Sequence, residues 1–85
     1  MKIQMTQTEA ALLARYLNKK FAQRVLERGH GFTLTEFAVE LGMKRSTVHR
    51  LMDERATQKG IQYAQLKALA RSFGVEFLRE MGLLE

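Results

Sequence analysis

The sequence has no cysteine, which excludes a disulfide framework and a cysteine-based zinc site and makes an intracellular protein the natural expectation. Long apolar runs are missing too. The longest extend over only a few residues, too short to span a bilayer, and the N-terminal MKIQMTQTEA lacks the apolar centre of a signal peptide. Cytoplasmic residence without a membrane partner is therefore expected. Catalytic constellations are equally scarce. His30 and His49 lie far apart, no serine, histidine and acid arrangement suggests a nucleophile, and neither an H-x-x-x-H spacing nor a glycine-rich phosphate loop occurs. The pairs Asp53/Glu54 and Glu76/Glu80 read as helix-surface charges, and His30, set between two glycines, as an exposed turn residue. An enzyme is a distant possibility, and no cofactor, metal or small-molecule substrate is expected. With 85 residues the chain is a single domain, 1–85, without room for a separate sensing or catalytic unit.

Acids are the scarcer charge. Lysine and arginine outnumber aspartate and glutamate by 14 to 9, a net charge of +5 with a pI of about 10.0, as suits a partner that carries phosphates. Many small basic proteins bind no nucleic acid, so the pattern must say more than the sum.

What is present is helical periodicity. Residues 1–7 are polar and read as a loose arm, after which Thr8 and Glu9 open a helix to about Arg28, stopped by Gly29 and Gly31. Leu13, Leu17, Phe21 and Val25 recur every fourth residue, and Ala14, Ala22 and Leu26 widen that stripe into an expected buried face. Arg15, Lys19, Lys20, Arg24 and Arg28 line the outer side. A solvated face is the favoured reading of this row, with direct phosphate contact as the alternative.

Thr33 to Arg55, TLTEFAVELGMKRSTVHRLMDER, reads as two short amphipathic helices joined at Gly42. Phe37, Leu41, Met43, Val48 and Leu51 fall where two crossed helices bury side chains. Ala38 faces the crossing, and Gly42 stands where a left-handed backbone is easiest for glycine. Thr33 and Glu36 form a T-x-x-E capping box, so the first helix should begin near Leu34. The second, roughly Arg45 to Arg55, keeps Val48, Leu51 and Met52 for the core and leaves Arg45, Ser46, His49 and Arg50 outside. An ordinary helical hairpin with a basic face is the bland alternative. Simultaneous agreement of the small residue, the glycine, the apolar positions and the basic outer face favours a helix-turn-helix. In that motif the second helix lies in the major groove, where arginine pairs with guanine and serine or histidine bond several base edges.

Arg55 to Ile61, RATQKGI, lacks a helical period and reads as a loop in which Lys59 either touches phosphate or is solvated. Leu66, Leu69, Ala70 and Phe73 then make a further helix ending at Gly74. Beyond it, Val75, Phe77, Leu78, Met81, Leu83 and Leu84 offer more apolar surface than one core contact needs, which suggests dimer pairing. Packing within the monomer is about equally expected.

These residues, continued by QYAQLKALARSFGVEFLREMGLL from Gln62 to Leu84, resemble the lambda-repressor-like, Xre-type helix-turn-helix family. The likeness covers most of the chain. It implies an all-α fold, a compact bundle of four or five helices with a central helix-turn-helix. It also implies a repressor of phage, plasmid or chromosomal promoters that binds a palindromic operator in double-stranded DNA as a homodimer, in the bacterial nucleoid. Carried over by position, it assigns base reading to Lys44, Arg45, Ser46, His49 and Arg50. Phosphate binding goes to Thr33, Thr35, Thr47, Arg55 and Lys59, and the dimer interface within 75–85 to Phe77, Leu78, Met81, Leu83 and Leu84. Members often have glutamine at the start of each motif helix, where this chain has Leu34 and Arg45, so no operator sequence can be borrowed. The first helix is also longer than usual. A competing function is an antitoxin or adaptor whose main partner is another protein, since many Xre-type antitoxins have this size.

Overall fold

In the computed structural model, which describes residues 2–29, 31–57 and 59–82, the long first helix forms one side of the core and the later helices pack around it and on one another. The elements run β1 (Lys2–Ile3), α1 (Gln7–Arg28), α2 (Leu34–Leu41), α3 (Arg45–Leu51), α4 (Glu54–Thr57), β2 (Ile61–Gln62), α5 (Tyr63–Phe73) and α6 (Val75–Glu80). Direct contact joins α1 to α3, α4 and α6, while α2 packs on α3 and α5. The fold is all-α apart from one two-stranded antiparallel pair. Six helices are described rather than four or five, because the second motif helix divides and the C-terminal segment forms a short helix of its own.

The helix α1 starts at Gln7 through a complete capping box one step earlier than Thr8 and Glu9 suggested. Glu9 N–H donates to Thr6 Oγ1 over 3.1 Å and Thr6 N–H to Glu9 Oε1 over 2.8 Å. Gly29, with φ +90, ends it. Its buried side carries Ala10, Leu13, Ala14, Tyr16 and Leu17, and Phe21 and Val25 are partly buried against the same core. Two expectations fail here. Ala22 is exposed and Leu26 is 86% exposed, because Leu26 lies nine residues beyond Leu17, half a turn out of phase at about 3.6 residues per turn.

Aromatic rings fill both ends of the α1 face. Tyr16 meets Phe73 and Phe77 edge-on at 5.3 and 5.5 Å between centroids, while Phe21 lies 5.4 Å from Phe37 and 5.9 Å from Phe32. Phe77 is completely buried and Met81 is 5% exposed. These two residues finish the monomer's own core, so the expected dimer surface loses them. Leu78 is partly buried against the same core. The pairing expectation for Leu83 and Leu84, like the turn expectation for His30, lies outside the described residues.

The N-terminal arm is not loose. Lys2 pairs with Gln62 and Ile3 with Ile61 in an antiparallel ladder, which also makes part of the expected 55–61 loop a strand. Two residues per strand show no periodicity in sequence; the pairing exists because Ile61 is a core residue, 1% exposed, and Ile3 packs partly against that core.

Candidate nucleic-acid interface

The turn between α2 and α3 follows directly from Gly42, whose φ of +70 and ψ of +30 are left-handed. Around it Met43 N–H donates to Ala38 O over 3.0 Å and Gly42 N–H to Val39 O over 3.1 Å, the paired bonds of a Schellman ending. A Cβ at Gly42 would meet nothing within 4 Å, so the backbone angle alone demands glycine. At the other end of α2, Thr33 Oγ1 accepts from Glu36 N–H over 3.3 Å. The Glu36 carboxylate makes no return bond to Thr33 among the described residues, so only half of the anticipated box forms. Phe37, Ala38, Leu41, Val48 and Leu51 are all buried at the crossing, and Met43 is half-buried.

On the outer side, Lys44, Arg45, Ser46, His49 and Arg50 are all exposed. The motif thus brings together every residue assigned to base reading. Thr33, Thr35, Arg55 and Lys59 are exposed as well, whereas Thr47 is half-buried in a shallow groove of about 330 Å³ that separates α3 from Ala64, Gln65 and Ala68 on α5. Lys44 occupies the cap position of α3 without a side-chain cap bond. Among the described residues no ion pair engages Lys44, Arg45, Arg50, Arg55 or Lys59.

The cations of α1 are placed differently. Lys20 Nζ lies 2.9 Å from Glu76, Arg24 pairs with Glu27 and Glu40, each at 3.3 Å, and Arg28 reaches Glu40 at 3.5 Å. Lys20, Arg24 and Arg28 are thus paired within the fold, while Arg15 and Lys19 are exposed and make no ion pair among the described residues. The hydrogen bond from Lys20, followed by the attraction of Lys20 and Lys19, holds the Glu76 carboxyl below its ordinary 4.5. Nearby, burial first, and then Glu76 and Glu80, pushes the Tyr16 hydroxyl up to about 12.

The helix α3 stops at Leu51, four residues short of the expected Arg55. Two side chains that no local motif singled out supplement the backbone bonds to the carbonyls at this end. Asn18 Nδ2 of α1 donates to Met52 O over 3.0 Å and to its own helix at Ala14 O over 2.7 Å. Thr57, 1% exposed, shares its one hydroxyl proton among Asp53 O at 2.9 Å, Leu51 O at 3.0 Å and Arg50 O at 3.4 Å. Asp53 Oδ1 accepts from Arg55 N–H over 3.0 Å, starting α4, so Arg55 sits in a separate helical turn rather than at the end of α3. A third unforeseen residue is Gln65, whose Oε1 accepts from Arg50 Nη2 over 3.5 Å. Asn18 acts across a tertiary contact, Thr57 folds back on carbonyls a few residues earlier in the chain, and Gln65 also closes a local capping box with Gln62.

The described residues form a small all-α bundle in which two short helices, α2 and α3, meet at a left-handed glycine turn and α3 exposes Arg45, His49 and Arg50. No family model, curated protein or solved structure matches the chain. Among the described residues no helix is long and apolar enough to cross a membrane.

Proposed function

We propose that this chain is a sequence-specific DNA-binding repressor of the lambda-repressor-like, Xre type, which occupies a palindromic operator as a homodimer with α3 in the major groove. The supporting observation is the exposed Lys44, Arg45, Ser46, His49 and Arg50 face on a helix seated by a left-handed glycine turn. Arg45 and Arg50 supply guanine-directed forks, Lys44, Ser46 and His49 adaptable base-edge partners, and Thr33, Thr35, Thr47, Arg55 and Lys59 the backbone grip. On this reading the protein works in the bacterial cytoplasm, at the nucleoid, and needs no cofactor. With Phe77 and Met81 buried, pairing of two copies falls to the remaining C-terminal apolar surface, where Val75 is 54% exposed.

Selection of bound sequences from random duplexes at stated salt tests the proposal. A palindromic consensus is expected; salt-sensitive binding without a consensus removes base reading, and no binding removes the DNA partner altogether. A second reading, an antitoxin or adaptor held by another protein, draws on Leu26 and Val39, which are 86% and 74% exposed. Co-purification of a stable heterologous subunit, with no operator binding by the pure protein, would favour it.

A further inference from the structure

The N-terminal strand lies directly on the loop that follows the DNA-reading helices. Lys2 pairs with Gln62 in the ladder, and its methylenes cross Gly60. A Cβ built at Gly60 would stand 2.9 Å from Lys2 Cε and 2.9 Å from the Ile3 carbonyl oxygen, and the backbone there has φ +111. Only glycine admits this close passage. The ammonium of Lys2, one bond beyond Cε, therefore emerges over the loop that also carries exposed Lys59.

The same strip continues to the recognition helix. Gln62 N–H donates to Gln65 Oε1 over 3.2 Å, and Arg50 Nη2 donates to that same oxygen over 3.5 Å. Lys2, Lys59 and Arg50 are thus joined by a strand pair and a shared glutamine, and none of the three makes an ion pair among the described residues. Cations collected on one strip without carboxylates favour a polyanion.

We infer that Lys2 is a further phosphate ligand, carried to the loop at Lys59 by the N-terminal strand, an assignment that rests on the DNA reading proposed above. Gly60 is its positioning partner, the residue that lets the strand approach.

The experiment measures equilibrium binding of the full chain to a random-sequence duplex over a range of salt. In Lys2→Gln the slope of log affinity against log salt should shrink by about 0.9 for each bound copy, about 1.8 for a homodimer, with the thermal midpoint unchanged. Lys2→Arg, which keeps the charge, should retain the wild-type slope. If Lys2→Gln keeps the wild-type slope while Lys59→Gln shrinks it, the Lys2 role is overturned and DNA binding stands. Should Lys2→Arg lose as much as Lys2→Gln, the side chain serves strand packing and the inference is overturned. If the wild-type chain shows no salt-dependent binding, the DNA reading falls and the Lys2 role falls with it.

Discussion

Two cationic surfaces of this molecule have nearly the same composition and opposite electrostatic fates. Along α1, Lys20, Arg24 and Arg28 repeat at helical spacing, and Glu76, Glu27 and Glu40 meet them at 2.9–3.5 Å. On α3 and its approaches, Lys44, Arg45 and Arg50 are exposed and no carboxylate engages them among the described residues. A count of basic residues treats the two alike. What separates them is where the acids lie in three dimensions: Glu40 sits on α2 and reaches back to α1, leaving the face of α3 open to a phosphate backbone.

The sharpest way to break this contrast is to remove one cation from each surface. Arg45→Ala should weaken binding to the selected site by about 1–3 kcal/mol and relax preference at one base position. Arg24→Ala should stay within about 0.5 kcal/mol on the same duplex. Competition binding checks both, and equal losses on selected and random DNA would end the base-reading role of Arg45. The open surface also depends on a helix held at its far end. Thr57→Val leaves the carbonyls of Leu51 and Asp53 without the hydroxyl, and stability in urea denaturation should fall by about 1–3 kcal/mol.

A smaller change sharpens the contrast from the other side. Glu40→Gln releases Arg28 and half-releases Arg24, so affinity for random duplex should rise at low salt and converge with wild type at high salt, for a stability loss below about 1 kcal/mol. Random-duplex affinity unchanged at low salt would mean that internal pairing is not what silences α1. The smallest effect is in pH. Glu76 is held below 4.5 by Lys20, so its contribution is present above 4.5 and disappears as pH falls through the lowered folded value. The acid limb of stability should therefore be shallower in Glu76→Gln, as read by denaturation midpoints across pH. Tyr16 acts at the opposite end. Its hydroxyl is raised from 10.0 to about 12, so stability is full below 10.0 and lost as pH climbs toward 12, a loss that Tyr16→Phe should abolish.

The sequence made the helices legible where one local rule sufficed. Gly29, Gly42 and Gly74 mark three helix ends, Thr33 marks a start, and the crossing residues from Phe37 to Leu51 announce themselves by spacing. The exposure of Lys44, Arg45, Ser46, His49 and Arg50 was legible for the same reason, since they are what remains after the core positions are removed. Whatever needed a distant partner was not. Lys2 and Ile3 cannot be seen as a strand without Ile61, and α3 cannot be seen to end at Leu51 without Asn18 and Thr57. The pairing of Lys20, Arg24 and Arg28 cannot be seen in full without Glu40 and Glu76. The C-terminal segment was ambiguous because Phe77 and Met81 have the same character whether they face a core or a second copy; burial assigned them to the core.

On the proposed DNA reading, the early stop of α3 limits how much sequence a single copy can distinguish. Its seven residues, at about 1.5 Å of rise each, span roughly 10 Å, and such a helix addresses about three base pairs spaced about 3.4 Å apart. Three pairs single out roughly one site in 64, against about a million or more competing positions. Two copies reading together reach roughly one in 4,000, and the balance must come from DNA shape and deformability. If the proposed DNA role holds, the hydroxyl of Thr57 and the amide of Asn18, which bond the carbonyls where this helix ends, bound the length of the word one copy reads.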